Sequence, residues 1–179
     1  MKKTALILTI FLLVANSVYA QEAGQSQQKA SIITNDAKNT LGTAYAENSI
    51  KKTESYIKVN NFAAAKQTLN TVNQWVSDAA EYHTELFKTL KKVDNADAQA
   101  NIERELAIKF ATMRDKIWFL QAQIYIHDGL KREAVENLVD VLNSQPTSEL
   151  GFQAYKLLQN IGFTYGVDST PIKTDVIQP

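Results

Sequence analysis

The residues that could do chemistry are few and widely separated in this 179-residue chain. Its two histidines, His83 and His127, are isolated from each other. Glu81 and Glu85 lie near His83, but residues two apart on a helix point in different directions. No His-x-x-x-His or Glu-x-x-His pair is present to build a metal site. We predict that His83 is a partly buried, hydrogen-bonded histidine and that His127 stabilises a helix C-terminus, where a cation is favoured.

Signatures of nucleophilic and nucleotide chemistry are missing from the sequence. It has no cysteine, no Gly-x-Ser-x-Gly elbow and no glycine-rich phosphate loop. The carboxylates Glu103, Glu105 and Asp115 alternate with arginines and lysines, a pattern typical of a solvated helix face. We therefore predict that the protein is not an enzyme and needs neither a cofactor nor a metal.

The N-terminus has the pattern of an export signal. Lys2 and Lys3 precede an apolar run from Ala5 to Ala15, and Val18-Tyr19-Ala20 then precedes a polar segment. The run is shorter than the about 20 residues that span a bilayer, so an uncleaved anchor is only the alternative. We predict a signal peptide over 1–20, cleaved near Ala20. The mature protein is then periplasmic or secreted, without stable membrane insertion, and its lack of cysteines and of N-glycosylation sequons is typical of bacteria.

Composition predicts one globular domain without a nucleic-acid footprint. The 19 basic and 19 acidic residues balance, and loss of Lys2 and Lys3 with the signal would leave a charge of −2. Residues 21–31 are polar and predict a flexible leader, and 164–179 lack helical periodicity and predict an extended C-terminal tail. The length that remains, 32–163, suits one domain.

Apolar residues recur in steps of three and four over most of that interval, which predicts helices. The stripe from Ile102 to Ile124 is the most regular, while the one from Ala37 to Ile57 is weakened by Gly42. No apolar and polar alternation predicts a strand. The fold class is therefore all-α, with about five helices. The other stripes run over 62–90, 131–143 and 148–160.

The connections between these helices predict antiparallel helical hairpins. Asn60 and Asn61 can supply a turn and a cap, and Asp128-Gly129 can adopt a left-handed C-terminal turn. The stripe over 62–90 is either one long helix or two helices with a break near Ser77-Asp78. Short loops of this kind join antiparallel neighbours.

Residues 56–72 and 125–141 form an internal repeat, because Tyr, Ile, Ala, Leu and Val recur at the same positions after 69 residues. This offset is close to twice the period of 34 that marks tetratricopeptide repeats. The window 115–148 resembles one such repeat, 46–79 resembles it in part, and 80–114 does not. If 62–90 is one helix, the fold is instead an irregular helical bundle. The residues that carry the resemblance are Trp118, Ala122, Tyr125, Ala134, Leu138 and Pro146, with Gln121 standing where the family prefers Leu.

The resemblance implies a groove that binds another protein or a peptide. Positions that line the concave groove in this family fall on Lys116, Phe119, Gln123, Ile126 and His127. A neighbouring helix that covers these residues is the alternative. The predicted function is that of an exported, non-catalytic interaction module or scaffold. A helical bundle that binds a small apolar ligand, or a stress-related envelope holdase, is the other possibility.

Overall fold

The computed structural model describes residues 39–165, and this part of the chain is helical without any strand. The all-α prediction is therefore confirmed. The predicted signal peptide over 1–20, the leader over 21–31 and the tail beyond Tyr165 lie outside the described residues. Six helices follow one another in the described part: α1 Thr43–Lys58, α2 Phe62–Asn70, α3 Asn73–Leu90, α4 Asp97–His127, α5 Lys131–Ser144 and α6 Glu149–Asn160.

Helix α4 is the central element, and it contacts each of the other five helices described. Its 31 residues give it a length of about 46 Å at 1.5 Å per residue. The predicted left-handed turn at its C-terminus is confirmed, because Gly129 has a φ of 78°. Five of its apolar side chains are buried against α1, α2 and α3, namely Phe110, Met113, Ile117, Leu120 and Ile124.

The stripe over 62–90 is two helices, and they break at Thr71-Val72. The Thr71 hydroxyl donates a hydrogen bond to the carbonyl of Thr68 at 2.7 Å, and the amide of Val72 donates to the carbonyl of Leu69 at 3.0 Å. Such a local side-chain bond competes with the helical one and tightens the turn. The single long helix is therefore wrong, and so is a break at Ser77-Asp78, which lies inside α3.

The turns that end α1 and α4 have the same hydrogen bonding. The amide of Asn61 donates to the carbonyl of Tyr56 at 2.8 Å, and the amide of Leu130 donates to the carbonyl of Tyr125 at 2.8 Å. Each turn places one residue at positive φ: Asn60 has a φ of 56° in the first turn, and Gly129 has a φ of 78° in the second. The Asn61 side chain also caps α2, as predicted. Two equivalent C-terminal turns thus lie 69 residues apart, the offset of the sequence repeat.

Helices α1 and α4 run side by side in the same direction. Glu47 pairs with Lys109 at 2.7 Å, and Glu54 pairs with Lys116 at 2.8 Å. Both partners advance by seven residues, or two helical turns, so the register is constant. Helices α4 and α5 run in opposite directions and, with α6, enclose a second apolar core around Leu138. The hairpin of α1 and α2 therefore packs against the hairpin of α4 and α5.

Candidate interaction surface

Three of the five predicted groove residues lie on one line of α4. Lys116, Gln123 and His127 are separated by steps of seven and four, so they share a face of the helix. The Lys116 ammonium pairs with Glu54 of α1 at 2.8 Å, and both side chains are about one-third exposed. Partly exposed ion pairs of this kind stabilise little, on the order of 0–1 kcal/mol. Their main effect is to fix how α1 lies against α4.

Phe119 does not line an open groove, and this prediction is corrected. Its exposed fraction is 6%, and it packs in the second core with Ala122, Leu138 and Ala154. Ile126 is half-buried against the same core. These two residues are seven apart on a line of α4 that faces α5 and α6, so neighbouring helices cover them, as the alternative prediction held.

His127 joins the end of α4 to the start of α2. Its ring stacks on Phe62 with centroids 3.9 Å apart and planes 15° from parallel. Its Nδ1 lies 3.0 Å from Asp128, whose other carboxylate oxygen pairs with Lys66 at 3.2 Å. The hydrogen bonds from His127 and then Lys66 lower the pKa of Asp128 below its ordinary value of 3.8. Half of the His127 side chain stays exposed, next to the half-buried Gln123.

Asp115 is buried, so the prediction that it belongs to a solvated face is wrong. Only 1% of it is exposed. One carboxylate oxygen accepts hydrogen bonds from the Ser144 hydroxyl and the Gln145 amide, each at 2.6 Å. The other accepts from the Arg114 guanidinium at 3.0 Å. Its place four residues before Phe119 puts Asp115 on the same line of α4, but the sequence does not show that this line faces inward.

His83 is partly buried and hydrogen-bonded, which confirms the prediction. Its partner is not a neighbouring carboxylate of its own helix but Glu103 of α4, 2.6 Å from its Nδ1. Its ring stacks on Phe110 at 5.3 Å. Within residues 39–165, no group of three or more potential ligands could hold a metal ion. Over the same residues, no helix has the length and apolar character needed to cross a membrane.

Comparisons of the chain with family models, with curated proteins and with solved structures find no match. The surface on α4 therefore has to be interpreted from its own chemistry.

Proposed function

We propose that the protein is an exported, non-catalytic helical-repeat protein that acts as a protein–protein interaction module. The observation that carries this proposal is the parallel packing of α1 and α4 in constant register, through Glu47–Lys109 and Glu54–Lys116. Repeated helical hairpins that stack in this way present a continuous surface along their equivalent helices. The resemblance of 115–148 to a tetratricopeptide repeat supports the same proposal, and the N-terminal sequence supports export.

The proposed binding face follows the line of Lys116, Gln123 and His127 on α4. It offers charges of both signs from the Lys116–Glu54 pair, an amide, and an imidazole stacked on Phe62. Such a face suits a polar segment of another protein that can exchange hydrogen bonds with these groups. Phe119 and Ile126 support the face from inside, and they do not contact the partner.

Site-specific photo-cross-linking tests the placement of this face. A photoactivatable residue at Gln123 should cross-link a protein partner in the native cell envelope, whereas the same residue at Gln99 should not. Gln99 is a matched control because it is an exposed glutamine of the same helix, about 36 Å away along its axis. With the captured partner purified, Gln123→Ala should weaken binding by at least about fivefold, while Gln99→Ala leaves it unchanged.

Equal cross-linking from the two positions, or none from either, would contradict the proposed face. A Gln123→Ala variant that binds the captured partner as tightly as the unchanged protein would also contradict it. Circular dichroism spectra and melting curves of the Gln123→Ala and Gln99→Ala variants that match those of the unchanged protein separate a loss of binding from a loss of folding.

A small amphipathic ligand is the second candidate, because a pocket of ≈ 520 Å³ lies between the N-terminal half of α5 and the turn that follows α6. This volume is in the range of about 300–1,000 Å³ that ligand sites occupy. The apolar residues Val135, Ile161 and Phe163 line it together with the charged residues Lys131, Arg132 and Glu136. Native mass spectrometry of the purified protein should then show a bound small molecule that Phe163→Ala removes. A spectrum of the apoprotein alone would exclude this function.

A further inference from the structure

The outward face of α6 carries aromatic side chains that the described helices leave uncovered. Phe152 is 53% exposed and Tyr155 is 37% exposed. On the opposite face of this helix, Ala154 and Leu158 are buried in the second core, and Gly151 is buried as well. An exposed Phe and Tyr three residues apart form an apolar strip on one side of a short helix.

Two opposite charges flank this strip on the same face. Glu149 lies three residues before Phe152 and Lys156 lies four residues after it, so all three side chains share one line of α6. The Lys156 ammonium lies 4.4 Å from the centroid of the Phe152 ring. One Glu149 oxygen accepts a hydrogen bond from the Gln153 amide at 3.0 Å. The strip is therefore acidic at its N-terminal end, aromatic in the middle and basic at its C-terminal end.

A strip of this kind is complementary to itself in the antiparallel direction. If two copies of α6 pack about a two-fold axis next to Phe152, the two phenyl rings meet at the axis. Each Glu149 then lies opposite Lys156 of the other copy, because the two charges are placed almost equally about Phe152. A surface that matches itself under a two-fold rotation is the requirement for an isologous dimer. A partner surface that carries only negative or only positive charges would repel either Glu149 or Lys156.

We propose that the protein forms a homodimer through antiparallel packing of the outward face of α6. Phe152 is the central contact, and two reciprocal Glu149–Lys156 pairs set the direction. One pair of short helices makes a small interface, at or below about 1,200 Å², which is typical of weak association. The dimer therefore forms in the micromolar range. This inference does not depend on the proposed function of the α4 face.

Sedimentation equilibrium over about 1 to 200 μM tests the dimer, with purified protein whose N-terminus has been determined by mass spectrometry. The expected result is a concentration-dependent change from monomer to dimer. Phe152→Ala should abolish it over this range. Ile108→Ala, which changes an apolar residue of α4 that is 59% exposed, should not affect it.

A charge exchange tests the antiparallel direction. Glu149→Lys alone and Lys156→Glu alone should each weaken the dimer by about tenfold, because in either variant both charge pairs of the dimer become pairs of like charges. The double variant restores opposite charges and should recover most of the affinity. A loss that persists in the double variant would overturn the antiparallel arrangement.

Two further results would overturn the dimer itself. The first is a full-length chain that stays monomeric at every concentration tested. This result counts against the dimer even if a variant truncated after Tyr165 dimerises, because the C-terminal tail would then cover the face in place of a second copy. The second is a dimer that Phe152→Ala leaves unchanged, since the interface would lie elsewhere.

Discussion

Replacement of Asp115 by alanine should be among the most destabilising single changes in the protein. Its carboxylate is 1% exposed, and it joins α4 to the end of α5 and the loop that follows. Ser144 and Gln145 donate to one oxygen at 2.6 Å, and Arg114 donates to the other. The alanine variant removes this buried acceptor from all three donors.

The magnitude follows from the burial of the group. Removal of one partner from a buried charged network costs about 3–5 kcal/mol. The whole domain is stable by only about 5–15 kcal/mol, so a fifth or more of its stability should be lost. Asp115→Asn keeps the shape but turns an amide NH₂ toward one or more donors, and we expect it to cost about 2–4 kcal/mol.

Urea unfolding followed by circular dichroism measures the loss, and Asp140→Ala is the matched control. Asp140 is an exposed aspartate of α5, so its replacement should change the free energy of unfolding by less than about 0.5 kcal/mol. In a double-mutant cycle, Asp115→Ala and Ser144→Ala should couple by about 1–2 kcal/mol. A loss below about 1 kcal/mol for Asp115→Ala, or a coupling energy near zero, would refute the reasoning.

Three other changes test the fold. Gly151→Ala should destabilise the protein by about 1–3 kcal/mol in urea unfolding, because the added Cβ would collide with the Gln145 carbonyl. Alanine favours helices more than glycine does, so a gain in stability would contradict this packing. Gly129→Ala should cost about 1–2 kcal/mol at positive φ, and Gly129→Asn should cost clearly less because Asn60 adopts this conformation in the equivalent turn; equal costs would refute the equivalence. The hydrogen bond from Lys91 lowers the pKa of Asp97 below 3.8, so the stabilising effect of this pair is present above that pH and is lost as the pH falls through the lowered pKa. Unfolding curves of Asp97→Asn and of the unchanged protein should therefore differ at pH 5 and converge in more acidic solution. A difference that does not change with pH would argue against the pair.

Most of the helices could be predicted from the sequence because their stabilising contacts are local or periodic. The stripe from Ile102 to Ile124 corresponds to the middle of α4, and Asn61 and Gly129 act at the ends of helices as their conformational preferences predict. The break at Thr71-Val72 was missed because no Gly or Pro marks it. It depends on a threonine hydroxyl that competes for a backbone carbonyl, and on the burial of Val72.

The candidate surface was predicted only in part. Positions carried over from the tetratricopeptide repeat placed Lys116, Gln123 and His127 on one line of α4, as the helical period requires. The same positions placed Phe119 and Ile126 in the groove, whereas α5 and α6 cover them. The sequence period gives the angle of a residue around its helix, but it does not say which neighbour lies at that angle.

The sequence by itself determined the helical class, the ends of most helices and the repeat at 69 residues, because these depend on contacts within a few residues and on the period of apolar side chains. Tertiary structure alone decided that Asp115 is buried, that His83 pairs with Glu103, and that α1 lies parallel to α4. These features join residues 20 to 62 positions apart in the chain. Whether a charged side chain meets water or another helix depends on how the helices pack, and no local pattern encodes it.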